Sequence, residues 1–433
     1  MPPVSTSPDP AVASTADPVV LIRTGPSGPT GVGSTGATGP AGAGSTGATG
    51  ATGASGAGGG GWTDDGSVVR LTTAGDNVAA LRAHVGGAQV MAVVKADGYG
   101  HGMVPSAQAA VRGGATWLGV AFLEEALELR ASGVTEPLLA WLFSPSEDLA
   151  PAVAAGVDLG IYDLAELARA GAAAERTGQV ARLHLKVDSG LSRGGATIDT
   201  WGELCESAAK AQADGTVSVT GVWSHFAFGE HGPDHPVNRQ QSALFADALS
   251  IATSKGLQPE VRHLANSAAL LADPGSRYDL VRAGVAIYGL PPVDVGPELR
   301  PVMTLASEVA LTKRVPAGAG VGYLHRYVTS AETTLALVPL GYGDGIPRTA
   351  TTAAEVLLGG GRRRVAGTVS MDQFVVDVAD DAVVAGDEVL LFGPGDRGEP
   401  TAREWADALG TIDYEIVTRV GGRVPREYAG GGT

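Results

Sequence analysis

Val90-Met91-Ala92-Val93-Val94-Lys95-Ala96-Asp97-Gly98-Tyr99-Gly100-His101-Gly102 runs from an unbroken apolar segment straight into a tight, glycine-punctuated turn. Five apolar residues rich in valine have the length and composition of a buried strand. Lys95 closes that strand. An ammonium group is costly against Val and Ala walls, so a lysine placed there loses its proton more readily than a solvated one and becomes a nucleophile toward an aldehyde, as a Schiff-base lysine must. The competing reading is a snorkelling strand-end lysine with its amine in water. Which of the two holds depends on the company Lys95 keeps.

Outward from this stretch, the pattern between about 74 and 290 alternates between amphipathic helix-length segments and short buried-strand runs. Eight strands are expected, near Gln89–Val94, Trp117–Val120, Leu138–Leu142, Val157–Ile161, Arg182–Val187, Val217–Trp223, Val261–Leu264 and Tyr278–Val281, with helices such as Asp163–Arg176 and Gln240–Lys255 between them. Eight strand–helix units in this length favour a closed (β/α)8 barrel of the α/β class, with an open doubly wound sheet as the alternative. After Arg300 the texture changes. Thr304–Val315, Thr333–Leu340, Glu355–Leu358, Arg364–Val378 and Glu388–Phe392 read as strands and only Ala402–Leu409 as a helix, so a mostly β C-terminal domain is expected.

Before Trp62 the chain is crowded with Gly, Thr, Ser, Ala and Pro, a composition unable to bury enough surface to offset chain entropy. Glycine recurs mostly every third position from Gly25 to Gly56, but the register breaks at Gly33 and Gly44 and proline is sparse, which favours a flexible tail over a collagen helix. Three regions are expected: a disordered low-complexity tail over 1–61, a barrel over 62–298 and a β-rich domain over 299–433. A 433-residue chain with 44% hydrophobic residues has ample material for such cores. Its net charge of −16 argues against a nucleic-acid surface or an anionic-membrane partner, both of which need clustered cations. Cys205 is the sole cysteine, so no intrachain disulfide can form. With neither a signal-peptide pattern nor a membrane-length apolar run, a cytoplasmic location is expected.

In a parallel barrel the chemistry belongs at the carboxyl ends of the strands. There stand Lys95, then Lys186 leading into Asp188-Ser189-Gly190-Leu191-Ser192-Arg193-Gly194, then Ser224-His225-Phe226, Asn266-Ser267 and Arg282-Ala283-Gly284-Val285. An amine, two arginines, an imidazole, a hydroxyl and a glycine turn suit an anionic heterocycle, and pyridoxal phosphate fits that description. Ser267 and the Gly284-Val285 turn would supply the phosphate site, with a plain helix N-cap as the other reading of Ser267. An arginine at the pyridine nitrogen is permanently cationic and leaves that nitrogen unprotonated. Arg282 is the candidate, against the alternative of a surface salt-bridge arginine. No convincing metal site is present.

Read together and in order, Val93-Val94-Lys95-Ala96-Asp97-Gly98-Tyr99-Gly100-His101-Gly102, Leu185-Lys186-Val187-Asp188-Ser189-Gly190, Ser224-His225-Phe226-Ala227, Asn266-Ser267, Arg282-Ala283-Gly284-Val285-Ala286-Ile287-Tyr288-Gly289, Gly341-Tyr342-Gly343-Asp344-Gly345 and Ser370-Met371-Asp372-Gln373 strongly resemble alanine racemase, a fold-type III pyridoxal-phosphate family. The resemblance runs from about Trp62 to the C-terminus. It implies a homodimer whose active sites join one subunit's barrel to the other's β-domain, and interconversion of L- and D-alanine, which supplies D-alanine for peptidoglycan. A related racemase of broader specificity, acting on serine, is the alternative.

By the same resemblance Lys95 and Tyr323, the latter in Gly322-Tyr323-Leu324-His325, are the two catalytic bases. His225 and Arg282 support them, Tyr99 and Tyr414 lie on the phosphate side, and Arg193 approaches the substrate carboxylate. Lys186 matches a lysine that some members carry as a carbamate, against a plain ion-paired lysine. Tyr342, Met371 and Asp372 would line the substrate entrance. Two departures stand out: Gly322 and Leu324 replace the serine and glycine common beside the catalytic tyrosine, and Gly229-Glu230-His231-Gly232 follows the His225 strand.

Overall fold

A computed structural model describes residues 66–72 and 74–429, and the expected tail over 1–61 lies outside the described residues. Strand β1 (Val68–Leu71) precedes an eight-stranded parallel sheet made of β2 (Gln89–Val93), β3 (Trp117–Val120), β4 (Leu138–Ala140), β5 (Asp158–Ile161), β6 (Ala181–Lys186), β7 (Val217–Trp223), β8 (Val261–His263) and β9 (Leu280–Ala283). From β2 to β8 each strand pairs with its neighbour in sequence, and β9 returns to pair with β2. A doubly wound sheet would reverse direction at a switch point, whereas this order closes on itself. The seam is sealed where the Asp279 N–H donates to the Arg262 carbonyl (3.2 Å) and the Arg282 N–H to the Ala265 carbonyl (3.0 Å). All eight expected strands are present.

Period-two alternation along these strands sorts the side chains. On β2, Val90, Ala92 and Val94 pack outward with the helices, while Met91 and Val93 point into the barrel with Trp117, Leu139, Val261 and Leu280. Leu183 and Leu185 of β6 and Val281 and Ala283 of β9 are likewise outward, which leaves His184, Lys186 and Arg282 on the inward parity. Helix Leu164–Thr177 shows how the outer layer is set: the Asp163 side chain caps its start by accepting from the Glu166 N–H (2.8 Å), and Leu167, Ala170 and Ala173 form its buried stripe.

The second domain contains β10 (Met303–Glu308), β11 (Leu311–Val315), β12 (Gly320–Val321), β13 (Tyr327–Val328), β14 (Thr333–Val338), β15 (Glu355–Leu358), β16 (Gly361–Arg364), β17 (Phe374–Ala379), β18 (Glu388–Phe392) and β19 (Arg426–Tyr428). They form a six-stranded sheet in the order β16-β15-β18-β10-β1-β19, a three-stranded sheet β11-β14-β17 and the hairpin β12-β13. Two expected strands divide here. Thr304–Val315 breaks after Glu308 because its halves join different sheets, and Arg364–Val378 breaks at Gly367 (φ +82°), beyond which a loop carries Met371 and Asp372. Strand β1, within the region expected to form the barrel, pairs antiparallel with β10 and parallel with β19. Its Val69 and Leu71 need an apolar sheet face, and the second domain supplies it. Among the described residues no helix is long and apolar enough to cross a membrane.

Candidate active site

After β2 the chain reverses through a left-handed turn, with Ala96, Asp97, Gly98 and Tyr99 at φ +54°, +52°, +60° and +53°. Each non-glycine residue there gives up about 1–2 kcal/mol, so the turn must be held from outside. The Glu125 carboxylate does this, accepting from the Ala96 N–H (2.6 Å) and from the Ala121 (2.9 Å) and Phe122 (3.1 Å) N–H groups at the end of β3. Asp97 adds a bond from the Met103 N–H (2.9 Å). Lys95 is therefore delivered by a strained, well-braced turn. Burial and Arg193 lower its pKa, and Glu125 partly offsets them.

A cavity of about 630 Å3 opens at this end of the barrel, with Lys95, Lys186, Arg193 and Arg282 in its lining and Glu230 as the only carboxylate there. In a chain of net charge −16 this concentration of cations selects an anionic ligand. Tyr99, His225, Asn266, Ser267, Gly284, Val285 and Tyr414 line it as well. Asn266, not Ser267, caps the following helix, by accepting from the Ala269 N–H (3.1 Å). The Ser267 hydroxyl instead accepts from the Gly284 N–H (2.9 Å), tying both expected phosphate turns into one corner. At Gly284 a β-carbon would collide with the Tyr99 hydroxyl, so glycine keeps that corner open.

Arg282 is no surface arginine: it is 4% exposed. Its Nη2 donates to the Ser224 (2.7 Å) and Leu264 (3.0 Å) carbonyls and to Nδ1 of His225 (3.1 Å), and its Nη1 to the His263 carbonyl (3.1 Å). Since arginine only donates, His225 must accept at Nδ1 and carry its proton on Nε2. Burial, with Arg282 next in effect, holds His225 well below the usual imidazole range and therefore neutral. Among the described residues no carboxylate lies within ion-pair distance of the Lys186 amine, and Asp188 acts on it only through space. That amine lies 4.8 Å and 4.9 Å from the ring centres of Tyr162 and Trp223, and burial together with Arg193 and Arg282 brings its pKa down to about 8. Arg193 rides on a loop organised by Asp188, whose Oδ1 accepts from the N–H groups of Gly190, Leu191 and Ser192.

The remaining expected residues sit elsewhere. Tyr323 lies at the tip of the β12–β13 hairpin, 69% exposed, with its carbonyl held by the Thr368 hydroxyl (2.9 Å). Tyr342 and Met371 are on the same domain, their segments joined by N–H bonds from Tyr342 to the Ser370 carbonyl (3.0 Å) and from Gly343 to the Met371 carbonyl (2.7 Å), and Asp372 pairs with Arg423 (2.8 Å). None of the four lines the cavity. Trp141, Tyr162 and Trp223, which do line it, were missed. Trp141 and Tyr162 immediately follow β4 and β5, so the strand-end rule applied to those two strands would have found them. Gly229–His231 forms a short 3-10 turn that brings Glu230 to the cavity, while His235 stacks on Phe228 (4.7 Å).

His101, in the Lys95 turn, gives a pH prediction. Burial drives its pKa down to about 4, whereas an unfolded imidazole takes its proton near 6.5. Between those values the unfolded state binds the extra proton, so stability is intact above about pH 6.5 and falls as pH drops toward 4. By pH 5 the loss from His101 alone should be roughly 2 kcal/mol, read as a lower melting temperature than at pH 7. A melting temperature unchanged between pH 7 and 5 would contradict a neutral buried His101.

Comparison with known proteins gives a consistent result. The family model described as "Alanine racemase, N-terminal domain" matches residues 69–292, and "Alanine racemase, C-terminal domain" matches residues 302–428. The chain is 62% identical over 367 residues to the alanine racemase of Frankia casuarinae, covering 84% of this chain and 95% of that protein. It is 56% identical over 365 residues to that of Thermobifida fusca, covering 84% and 97%. Among solved structures, alanine racemase from the D-cycloserine-producing Streptomyces lavendulae aligns with a TM-score of 0.82 at 49% identity, over 86% of this chain and 98% of that one.

Proposed function

Because the chain belongs to the alanine racemase family of isomerases, we propose that it interconverts L- and D-alanine with pyridoxal phosphate, by two bases drawn from two subunits of a homodimer. The observation that carries this reading is a cavity in which a lysine of lowered pKa shares the lining with a buried arginine–imidazole pair. The cavity's four cations and glycine-lined corner fit the cofactor's charge and its phosphate. Pyridoxal phosphate, when bound, supplies the electron sink that makes an amino acid's Cα proton removable.

Lys95 would hold the cofactor through its amine and accept the D-side Cα proton. Arg282 would hold the ring nitrogen without protonating it; among the described residues its Nε–H has no protein partner. Tyr99, Asn266, Ser267, Gly284, Val285 and Tyr414 would hold the phosphate side, and Arg193 the substrate carboxylate. Returning a proton to the opposite face needs a second base. Tyr323 of the partner subunit would provide it, with the Nε2–H of His225 available to its phenolic oxygen. Exposed Tyr323, Leu324, Tyr342 and Met371 on one domain support an interface there.

Lys186 would be carbamylated: its amine nitrogen adds to CO2, a proton leaves, and the resulting anion orients Arg193. Intact protein should then carry the mass of one CO2, lost in acid, and Lys186→Met should raise KM for alanine about tenfold, as expected for losing one charged hydrogen bond. Unmodified Lys186 in protein equilibrated with bicarbonate would refute this. A cytoplasmic role supplying D-alanine for peptidoglycan follows from the same reading. Broader action on serine stays the second reading, since one small group changes discrimination by only about 1–3 kcal/mol. The test is loss of optical rotation with L-alanine, L-serine and L-lysine in parallel on the cofactor-loaded protein. Alanine should turn over fastest, and no change with alanine would end the proposal.

A further inference from the structure

Beneath the cavity, inside the barrel, four side chains from four strands form one hydrogen-bonded line. Arg282 Nη1 lies 3.0 Å from His263 Nδ1, His263 Nε2 lies 2.8 Å from His184 Nδ1, and His184 Nε2 lies 3.2 Å from Asp158 Oδ2. All four are buried. The direction of every bond is fixed by its upper end. Arginine can only donate, so His263 accepts at Nδ1 and bears its proton on Nε2; His184 must then accept at Nδ1 and donate from Nε2 to the carboxylate. No joint in the line sets donor against donor.

Asp158 opens β5 at the amino-terminal mouth of the barrel, where Arg182 Nε (2.9 Å) and the Thr220 hydroxyl (2.9 Å) also donate to it. Burial raises its pKa, but His184 and Arg182 outweigh that and keep it ionised. Arg282, at the other end, touches only neutral acceptors: three carbonyls and two imidazoles. The backbone makes room for the line. At Gly221 a β-carbon would overlap the His184 ring, and the β6–β7 register shifts between Leu183 and His184.

We infer that Asp158 and His184 are positioning residues, a buried anchor that delivers counter-charge to Arg282 through two oriented imidazoles and fixes its guanidinium beneath the cavity. The consequence for turnover rests on the cofactor-side role proposed for Arg282; the line itself does not. Removing the carboxylate leaves a buried cation compensated only by dipoles, which weakens its hold on whatever it faces.

Two measurements separate the claims. In cofactor-free protein labelled with 15N-histidine, His184 and His263 should both be Nε2–H tautomers, and an Nδ1–H tautomer at either would overturn the line. In cofactor-loaded protein, Asp158→Asn should lower kcat roughly tenfold, as for one charge-assisted bond, with KM for alanine within about twofold, and should shift the visible band of the bound cofactor. His184→Gln, which keeps one acceptor and one donor, should retain more turnover than His184→Leu. Wild-type kcat and absorbance in Asp158→Asn would overturn the anchoring role even if the tautomers are as expected. An Arg282→Lys protein with an unchanged band and rate would instead sink the role given to Arg282. If Asp158→Asn fails to fold, the tautomers and the His184 pair still decide.

Discussion

Lys95→Ala protein should fold, gain no visible band from added pyridoxal phosphate and racemise alanine in neither direction. The fold survives because the Lys95 side chain takes part in no ion pair among the described residues and approaches the Trp141 ring only at 6.0 Å. The turn is braced through the backbone of Ala96 and the side chain of Asp97, which the substitution leaves in place. Function does not survive, because two roles go together: the amine that would link the cofactor and the acceptor of the D-side proton. A general base alone is worth about 10²–10⁴-fold, and covalent attachment adds to that. Turnover should therefore fall by more than about 10⁴-fold. A Lys95→Ala protein that still develops the cofactor band would show that the linkage lies elsewhere.

Tyr323→Phe should separate binding from chemistry. Only a hydroxyl is lost, from a ring already 69% exposed at a hairpin tip, so neither the fold nor the cofactor band should change. Racemisation should drop by about 10²–10⁴-fold. Because Lys95 remains, D-alanine in heavy water should still exchange its Cα proton for deuterium with configuration retained, while L-alanine exchanges far more slowly. Wild-type racemisation by this variant would exclude a two-base role. Mixing the two variants tests the shared site directly. If each site takes Lys95 from one chain and Tyr323 from the other, a mixed dimer has one doubly defective site and one intact site. Activity should then recover on mixing; sites complete within one chain would show no recovery.

Much of this was legible from the sequence, and for identifiable reasons. Buried parallel strands announce themselves as short valine- and leucine-rich runs, so all eight barrel strands were found. Lys95, Lys186 and Arg282 were legible because each ends an inward-facing series, a property of local alternation. The second domain was harder. Its strands exchange partners between two sheets, and a single apolar run such as Thr304–Val315 carries no mark of where one sheet is left for the other. His184 and His263 were passed over because a histidine inside an apolar strand has no local signal; its meaning lies in what faces it.

The sequence by itself therefore determined the alternation that makes a barrel, the turn that follows Lys95 and the chemistry gathered at the strand ends, since these depend on neighbours within a few residues. Only the tertiary structure decided that β1 pairs with β10 and β19, that Tyr323 does not line its own chain's barrel cavity, and that Asp158 stands in line with Arg282 across 124 positions of chain. Those relations are set by closure of the sheet and by which apolar faces find each other. Hydrophobic burial specifies that a face must be covered, and the assembled fold specifies by what.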